Sequence, residues 1–559
     1  MLKFGTSGLR GLVTDMTDQE CYINTLGFLN YLKNSNQVQS GSVVSIAGDL
    51  RTSTDRIMTA CAKAAVDAGC LVENADKIPS PALMAYAMPK KQASIMVTGS
   101  HIPDDRNGIK FNKADGEVLK NDETGILKEV AQVREKIEDD QLEQSIFDNN
   151  GMFKNVLTSI FPDAIATAKD NYVQRYLLAF NGLSLQNKKI VVDQHSAVGR
   201  DMLVEIIEKL GAQAIPDGRT DYFVPKDTEN ITEDTKANFL QLAKKHEPFA
   251  IVSTDGDSDR PFVVGSDGTF YRGDILGAVV AKYLKANICA VPVSANDAID
   301  NFLEENNIKR VITRIGSPFV IAAMNQAKEQ GTKKVIGWEV NGGVLLGSDY
   351  KINNNTLTAL PTRDAILPIL AALFAALEAG SVEELFKPLT NRYTQAGLID
   401  EFPAAISKAL VAAIRPDDEH IFELLFDNDM VTIIKEDGSQ VTENINQQTF
   451  ESVDLFWKNK FTIMQTQHKR SGLEQFYFKS SDGFNRIKSM NFVDGIRIGF
   501  ENQNVAHIRP SGNAPQLRIY AVADSQERAD QIVEMGIKPD GILRQMEKDI
   551  NKYSNKYPE

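Results

Sequence analysis

"SVVSIAGDLRTSTDRIMTACAKAAVDAG" runs from Ser42 to Gly69. Its first part, "SVVSIAG", is short, apolar and rich in β-branched residues. Its second part, "DRIMTACAKAAVDAG", is amphipathic and ends at Gly69. Those patterns read as a strand, a polar turn and a helix closed by glycine. The design returns in "KKIVVD" followed by "GRDMLVEIIEKLGA", with Gly211 at the stop, and again in "NICAVPV" followed by "ANDAIDNFLEENN". The starts fall near residues 42, 188 and 287. Alternation of β and α at this spacing implies parallel strands covered by helices. Three recurrences predict three related α/β domains with mixed sheets, over residues 1–177, 178–275 and 276–400. The likeness among them is one of architecture, with no strict residue-level repeat. The segment from Asn121 to Tyr176 is mostly helical in pattern and extends the first domain.

After about residue 400 the pattern changes. "MVTIIKEDGSQVTE" reads as a hairpin around Asp437-Gly438. "GIRIGFENQNVAHIRPSG" and "QLRIYAVADS" read as further strands, and "SQERADQIVEMG" and "ILRQMEKDINKY" as helices. Strands followed by helices predict a fourth, α+β domain over residues 401–559. A chain of 559 residues is long enough for several such domains, because single cores stop growing at about 250–300 residues.

Acidic residues outnumber basic ones, 75 against 61, for a net charge of -14. Nucleic acid needs a basic footprint, so it is not the expected partner. An anionic small molecule stays possible, because a local basic pocket can oppose the global field. The longest apolar stretch, Ala365 to Leu377, is interrupted by Pro368 and is too short to span a membrane. Met1-Leu2-Lys3-Phe4-Gly5 lacks the pattern of a secretory leader. Four cysteines, at 21, 61, 70 and 289, have no paired or zinc-like spacing, so they read as buried thiols in a reducing compartment. A cytoplasmic protein with no membrane partner is the expectation.

Five short stretches carry candidate chemistry. In "FAIVSTDGDSDRPFVV" a strand ends at Thr254, and Asp255, Asp257 and Asp259 alternate before Arg260. Three carboxylates this close repel one another unless a cation sits between them, and a hard divalent ion is the economical answer. A calcium loop of the EF-hand type fails, since Arg260 and Ser266 stand where Gly and Glu are required. The plainer reading is a solvated acidic turn. In "IMVTGSHIPDDRNGIKF", Ser100 follows a strand and is a cap, a turn residue or a nucleophile. His101 could exchange protons beside it, and Lys110 could meet a phosphate or, with its pKa lowered, act as a base. A hydrolase elbow is excluded because G-x-S-x-G is absent. A phosphorylated serine would supply the oxygen that three aspartates leave wanting.

"HIRPSGNAPQLRIY" places Arg509, Ser511, Gly512 and Asn513 in a polar turn, with Arg518 on the next strand. That is a phosphate cradle or an ordinary surface turn. "GWEVNGGVLLGSD" places Glu339 and Asn341 before a Gly-Gly turn, a pair suited to sugar hydroxyls or simply a strand end. "FGTSGLRG" opens the chain with Thr6, Ser7, Gly8 and Arg10 in what reads as a loop.

Together these residues resemble the α-D-phosphohexomutase superfamily of phosphoglucomutases, phosphomannomutases and their relatives. "TGSHIPDDRNGIKF" is similar to the phosphoserine loop, "DGDSDR" to the metal loop, "WEVNGG" to the sugar loop and "RPSGNAP" to the last phosphate loop. "FGTSGLRG" and "GDLRTST" match further segments, and the order holds along nearly the whole chain. The resemblance implies four domains around a central active-site cleft. It implies a phosphorylated Ser100 and a Mg²⁺ ion held by Ser100, Asp255, Asp257 and Asp259. His101, Lys110 and Arg10 would line the reaction site, with Lys110 the general acid/base. Glu339 and Asn341 would take sugar hydroxyls, Arg509, Ser511, Gly512 and Asn513 the substrate phosphate, and Arg260 would accompany the metal loop. Arg314, in "TRIG", stands where some members have a sugar-facing lysine.

The chain departs from the family pattern at Gly99 for Ala, Ile102 for Asn, Asn341 for Ser and Gly343 for His. The implied activity is interconversion of mannose 1-phosphate and mannose 6-phosphate through a hexose 1,6-bisphosphate, which is both intermediate and activator. A phosphoglucomutase or a dual-specificity enzyme is the alternative. A non-catalytic sugar-phosphate sensor is a remote one.

Overall fold

Val44, Ile46 and Ala47 are fully buried in the strand Val43–Gly48, as a strand covered on both faces requires. That strand belongs to a computed structural model that describes residues 3–4, 8–139, 145–155, 160–444, 452–458, 466–511 and 515–554. The chain forms two compact units. One comprises residues 1–292, 302–311 and 316–388, the other residues 293–301, 312–315 and 389–559.

The first unit repeats one design three times. In the first sheet, Val43–Gly48 lies parallel to both Leu71–Lys77 and Ala93–Val97. Ala93–Val97 then turns back into the antiparallel strand Arg106–Lys113. The helix Thr54–Asp67 makes the first crossover, and the chain leaves it through Gly69 at φ +72°. In the second sheet, Lys189–Asp193 lies parallel to Gln213–Asp217 and Ala250–Thr254, and the latter turns back into Pro261–Val264. In the third, Ile288–Pro292 lies parallel to Val335–Trp338, which turns back into Val344–Leu346. Each sheet is therefore mixed. The candidate serine, aspartate and sugar loops all sit at the step from parallel to antiparallel pairing.

The opening segment differs from expectation. Gly8–Leu12 is a strand, not a loop, and pairs antiparallel with Arg106–Lys113, so that Gly8 faces Lys110 and Arg10 faces Gly108. Gly8 permits this contact, since a Cβ there would stand 1.9 Å from the Ile109 carbonyl oxygen. Thr6 and Ser7 lie outside the described residues. Pro368 does not break the apolar stretch around it. It falls in the first turn of the helix Ile366–Ala379, where its missing N–H has no partner to lose.

The second unit is built on an antiparallel sheet of eight strands, in the order Tyr393–Ile399, Leu517–Ala523, Val505–Pro510, Ile496–Phe500, Ile487–Asn491, Ile421–Asp427, Met430–Lys435 and Gln440–Asn444. The expected hairpin is present, with Ile434 opposite Gln440 and Gly438 at φ +81°. Helices do not simply follow the strands. Ala404–Ile414, Val453–Lys458 and Thr466–Phe476 are interleaved with them, and only Gln526–Ile537 and Ile542–Ser554 come last. Phe402, Leu410, Phe456, Leu473 and Phe478 fill the core of this unit. The four cysteines are buried, and among the described residues no single helix is long and apolar enough to cross a membrane.

Candidate active site

The site begins where the strand Ala93–Val97 ends. Ser100 is 1% exposed and its backbone is left-handed, at φ +56°. Its Oγ donates to Asp255 Oδ2 at 2.7 Å and lies 3.3 Å from His101 Nδ1. Two separate sheets thus deliver the serine and the aspartates to one point. No helix starts at Ser100, so the capping reading fails.

Asp255, Asp257 and Asp259 are buried, and each offers a carboxylate oxygen within 4.8 Å of the others. Asp255 Oδ1 accepts the backbone N–H of Asp259 and of Arg260, both at 3.2 Å. Asp257 Oδ2 accepts from Ser80 Oγ and from Lys110 Nζ, both at 2.5 Å. Asp259 Oδ2 accepts from Lys110 Nζ at 2.7 Å and from Arg363 Nη2 at 3.0 Å. Asp257 Oδ1 and Asp259 Oδ1 are buried without a hydrogen-bond partner. Leaving a buried acceptor unmade costs about 1–3 kcal/mol or more when it is charged. Two such oxygens in a cluster of hard ligands fit a hard divalent cation.

The electrostatics follow from this crowding. Burial and the neighbouring carboxylates push Asp255 far above the usual carboxylate range. Burial acts on Asp259 in the same sense, but Arg363, Lys110 and Arg260 outweigh it and hold that carboxyl below its usual range. Burial alone would lower Lys110; Asp257 and Asp259 outweigh it and raise the ammonium. The lowered pKa that a basic lysine requires is therefore not what this environment gives, and Lys110 stands as a charged donor. Burial, with Arg260 and Arg10 nearby, pushes His101 down to about 2, so its imidazole is neutral near pH 7. Arg10 itself is exposed on its strand.

Arg260 faces Asp227 at 3.6 Å and Glu229 at 3.5 Å through Nη1, and Asp255 and Asp259 at 3.9 and 3.8 Å through Nε. Asp227 also lies 3.9 Å from His101 Nε2. Glu339 Oε2 accepts from Arg363 Nη1 at 2.6 Å. One guanidinium therefore joins the aspartate loop to the loop that carries Glu339 and Asn341. A Cβ at Gly343 would stand 2.8 Å from the Cβ, Cγ and Cδ of Arg363, so glycine there makes room for the arginine stem. Asn341 is buried, and its Oδ1 accepts the Gly343 N–H at 3.0 Å, which commits that oxygen to the turn.

Arg314 and Arg509 belong to the second unit. Arg314 is exposed. The next residue, Ile315, donates its N–H to Asp494 Oδ2 at 3.1 Å, and Arg509 Nε pairs with the same oxygen at 3.0 Å. The Ser511 N–H donates to the Gln516 carbonyl at 2.9 Å. Gly512 and Asn513 lie outside the described residues. Sequence reasoning missed Arg363, Ser80, Asp227 and Glu229. Each is a single polar residue in an unremarkable segment, such as "LPTRDAIL" for Arg363, and no local pattern marks it.

Comparison with known proteins identifies the family. Sequence profiles of the phosphoglucomutase/phosphomannomutase family match alpha/beta/alpha domain I at residues 1–137, domain II at 170–268, domain III at 272–393 and the C-terminal domain at 458–538. The chain is 34% identical to a phosphomannomutase of Sinorhizobium fredii over 96% of its own length and 98% of the relative's. It is 37% identical to a phosphomannomutase of Salmonella muenchen over 95% of its length and 94% of that relative's. The chain belongs to the phosphoglucomutase/phosphomannomutase family. Among solved structures, a family protein of Burkholderia thailandensis shares the fold with a TM-score of 0.65 at 15% identity, over 99% of this chain and 98% of that one. Parafusin, a phosphoglucomutase from Paramecium, shares it with a TM-score of 0.55 at 15% identity, over 99% and 94%.

Proposed function

We propose that the chain is a phosphohexomutase that interconverts mannose 1-phosphate and mannose 6-phosphate through a phosphorylated Ser100. One observation carries the reading. A buried serine hydroxyl donates at 2.7 Å into a buried cluster of three carboxylates, two of which keep an orphaned oxygen. A solvated acidic turn has no use for that arrangement. The names of the Sinorhizobium and Salmonella relatives favour mannose over glucose.

In this reading phosphorylated Ser100 gives its phosphoryl group to the free hydroxyl of the hexose phosphate. The hydroxyl oxygen attacks phosphorus in line, and the bond from phosphorus to Ser100 Oγ breaks. Lys110 supplies the proton that Oγ takes and is restored by the proton that the sugar hydroxyl gives up, and the neutral His101 hydrogen-bonds Oγ through Nδ1. The hexose 1,6-bisphosphate turns end for end and returns its other phosphoryl group to Ser100. A Mg²⁺ ion held by Asp255, Asp257, Asp259 and an oxygen of the seryl phosphate would neutralise charge on the moving group. Glu339 and Asn341 hold sugar hydroxyls, Arg363 keeps Glu339 in place, and Arg10 and Arg260 add positive charge at the site. The family resemblance assigns the phosphate that does not react to Arg509, Ser511, Gly512 and Asn513, and a sugar-facing position to Arg314.

Ser100→Ala should lower kcat on mannose 1-phosphate by about 10³-fold or more, as expected when the covalent group is removed. Normal conversion by that variant would exclude the covalent route. The ratio of kcat/KM for mannose 1-phosphate to that for glucose 1-phosphate fixes the sugar. A ratio below one would make the chain a phosphoglucomutase.

A further inference from the structure

Serine seldom adopts the backbone that Ser100 holds. A φ of +56° is disfavoured for a residue with a Cβ, and it persists only where the surroundings over-determine it. Here the surroundings are explicit. Thr98 Oγ1 accepts the Ser100 N–H at 2.8 Å and donates to Asp49 Oδ2 at 2.8 Å. Arg51, whose side chain is entirely buried, lays its guanidinium along the same loop. Nη2 donates to the carbonyls of Ser100 at 2.9 Å and Ile102 at 2.5 Å. Nη1 donates to the carbonyls of Pro103 at 2.7 Å and Arg106 at 3.0 Å, and Nε to Asp49 Oδ2 at 3.1 Å.

All five guanidinium N–H groups are thereby used, four of them on carbonyls of one loop. Phe223 covers the guanidinium at 3.8 Å from its ring centre. The contact with the loop is close, for a Cβ at Gly99 would stand 2.6 Å from Arg51 Cζ. Asp49 ties the two devices together, since one of its oxygens receives both Thr98 and Arg51.

We propose that Asp49, Arg51 and Thr98 are positioning residues that fix the phosphoryl-carrying serine by gripping its backbone. The inference rests on the covalent reading given above. Every bond that Thr98 and Arg51 make to the loop goes to a main-chain atom. None of those bonds changes when Oγ gains or loses a phosphoryl group. The serine must act as donor in one half of the reaction and as acceptor in the other, so Oγ has to occupy the same place in both states. A grip on the side chain would have to be remade each time; a grip on the backbone does not. A displacement of about 1 Å at a reacting atom can cost on the order of 10²-fold in rate. The loss should therefore fall on kcat, with little change in KM.

The test is a conservative pair at position 98, with Arg51→Lys as a harsher probe. Thr98→Val keeps nearly the same shape and removes the hydroxyl; Thr98→Ser keeps the hydroxyl. We expect Thr98→Val to lower kcat by about 10-fold to 10²-fold with KM within about twofold, and Thr98→Ser to stay within about threefold of the parent. The rate at which hexose 1,6-bisphosphate phosphorylates Ser100, followed by intact mass, should fall by the same factor as kcat. Amide exchange at residues 99–102 should quicken in Thr98→Val while Ala93–Val97 stays protected. Arg51→Lys keeps the charge, loses the fork and should lose more. If it does not fold, the pair at 98 still decides.

The inference is overturned if Thr98→Val matches the parent in kcat and labelling. Equal losses in Thr98→Ser and Thr98→Val would overturn it too, as would a loss that vanishes after correction for the folded fraction. Ser100→Ala is run in parallel. Activity in that variant refutes the covalent reading itself; an inactive Ser100→Ala beside a fully active Thr98→Val refutes only the positioning set.

Discussion

The first unit buries Asp255, Asp257 and Asp259 with Lys110, Arg363 and Glu339 around them, whereas the second buries Phe402, Leu410, Phe456, Leu473 and Phe478. In the second unit each residue stabilises by leaving water, and any one of them is replaceable at the cost of a cavity. In the first, each charge is tolerable only because a named partner stands beside it. Removing one partner strands another. The contrast separates residues kept for folding from residues kept for chemistry, and it can be attacked from both sides.

The largest expected effect comes from Arg363→Ala, which leaves Glu339 and Asp259 without their shared guanidinium. It should lower kcat/KM by on the order of 10³-fold and stability by about 3 kcal/mol, the usual cost of breaking a buried pair. Kinetics and urea unfolding of the same preparation measure both. Leu473→Ala, in the apolar interior, should destabilise by about 2–5 kcal/mol and leave kcat/KM per folded molecule within about twofold. An activity loss as large as that of Arg363→Ala would erase the distinction between the two interiors. Mg²⁺ at ten times its dissociation constant should add about 1.4 kcal/mol to the first unit and nothing to the second. Calorimetry with and without a chelator reads this directly, and equal shifts in both transitions would count against a cation among the three aspartates.

Acid offers a smaller test that reaches both units. Burial pushes His195, in the first unit, down to about 3, and His507, in the second, down to about 4. A depressed histidine is neutral in the folded chain while its unfolded counterpart takes a proton below about pH 6.5. Stability is therefore full above that value and falls as pH drops toward the folded pKa, by about 1 kcal/mol for each histidine between pH 6.5 and 5.5. Urea midpoints across that range should decline, and His507→Gln should flatten the decline of the second unit alone.

Much of this architecture can be read from the chain, and the exceptions have physical reasons. The strand-helix units show because burial on two faces writes a continuous β-branched run, and an amphipathic helix with a closing glycine follows it. The hairpin at Asp437-Gly438 shows because few residues accept its backbone. The serine and aspartate loops show because their residue types are costly in any other role. Gly8–Leu12 does not read as a strand, since glycines at 8 and 11 and a charged Arg10 hide it; its identity comes from pairing with Arg106–Lys113 across a long separation. The contacts of Arg363, and those of Arg51 within the matched "GDLRTST", are hidden for the same reason. Each is an arginine whose meaning lies in carbonyls or carboxylates 24 to 104 residues away.

The three site loops share a placement: each joins the last parallel strand of its sheet to the antiparallel strand beside it. A hairpin loop of that kind is held at both ends by one ladder, so its sequence can drift without disturbing the strand register. The loop of Glu339 and Asn341 can then change while the serine and aspartate loops stay as they are. A lineage carrying this scaffold can vary one loop at a time and leave the other two untouched.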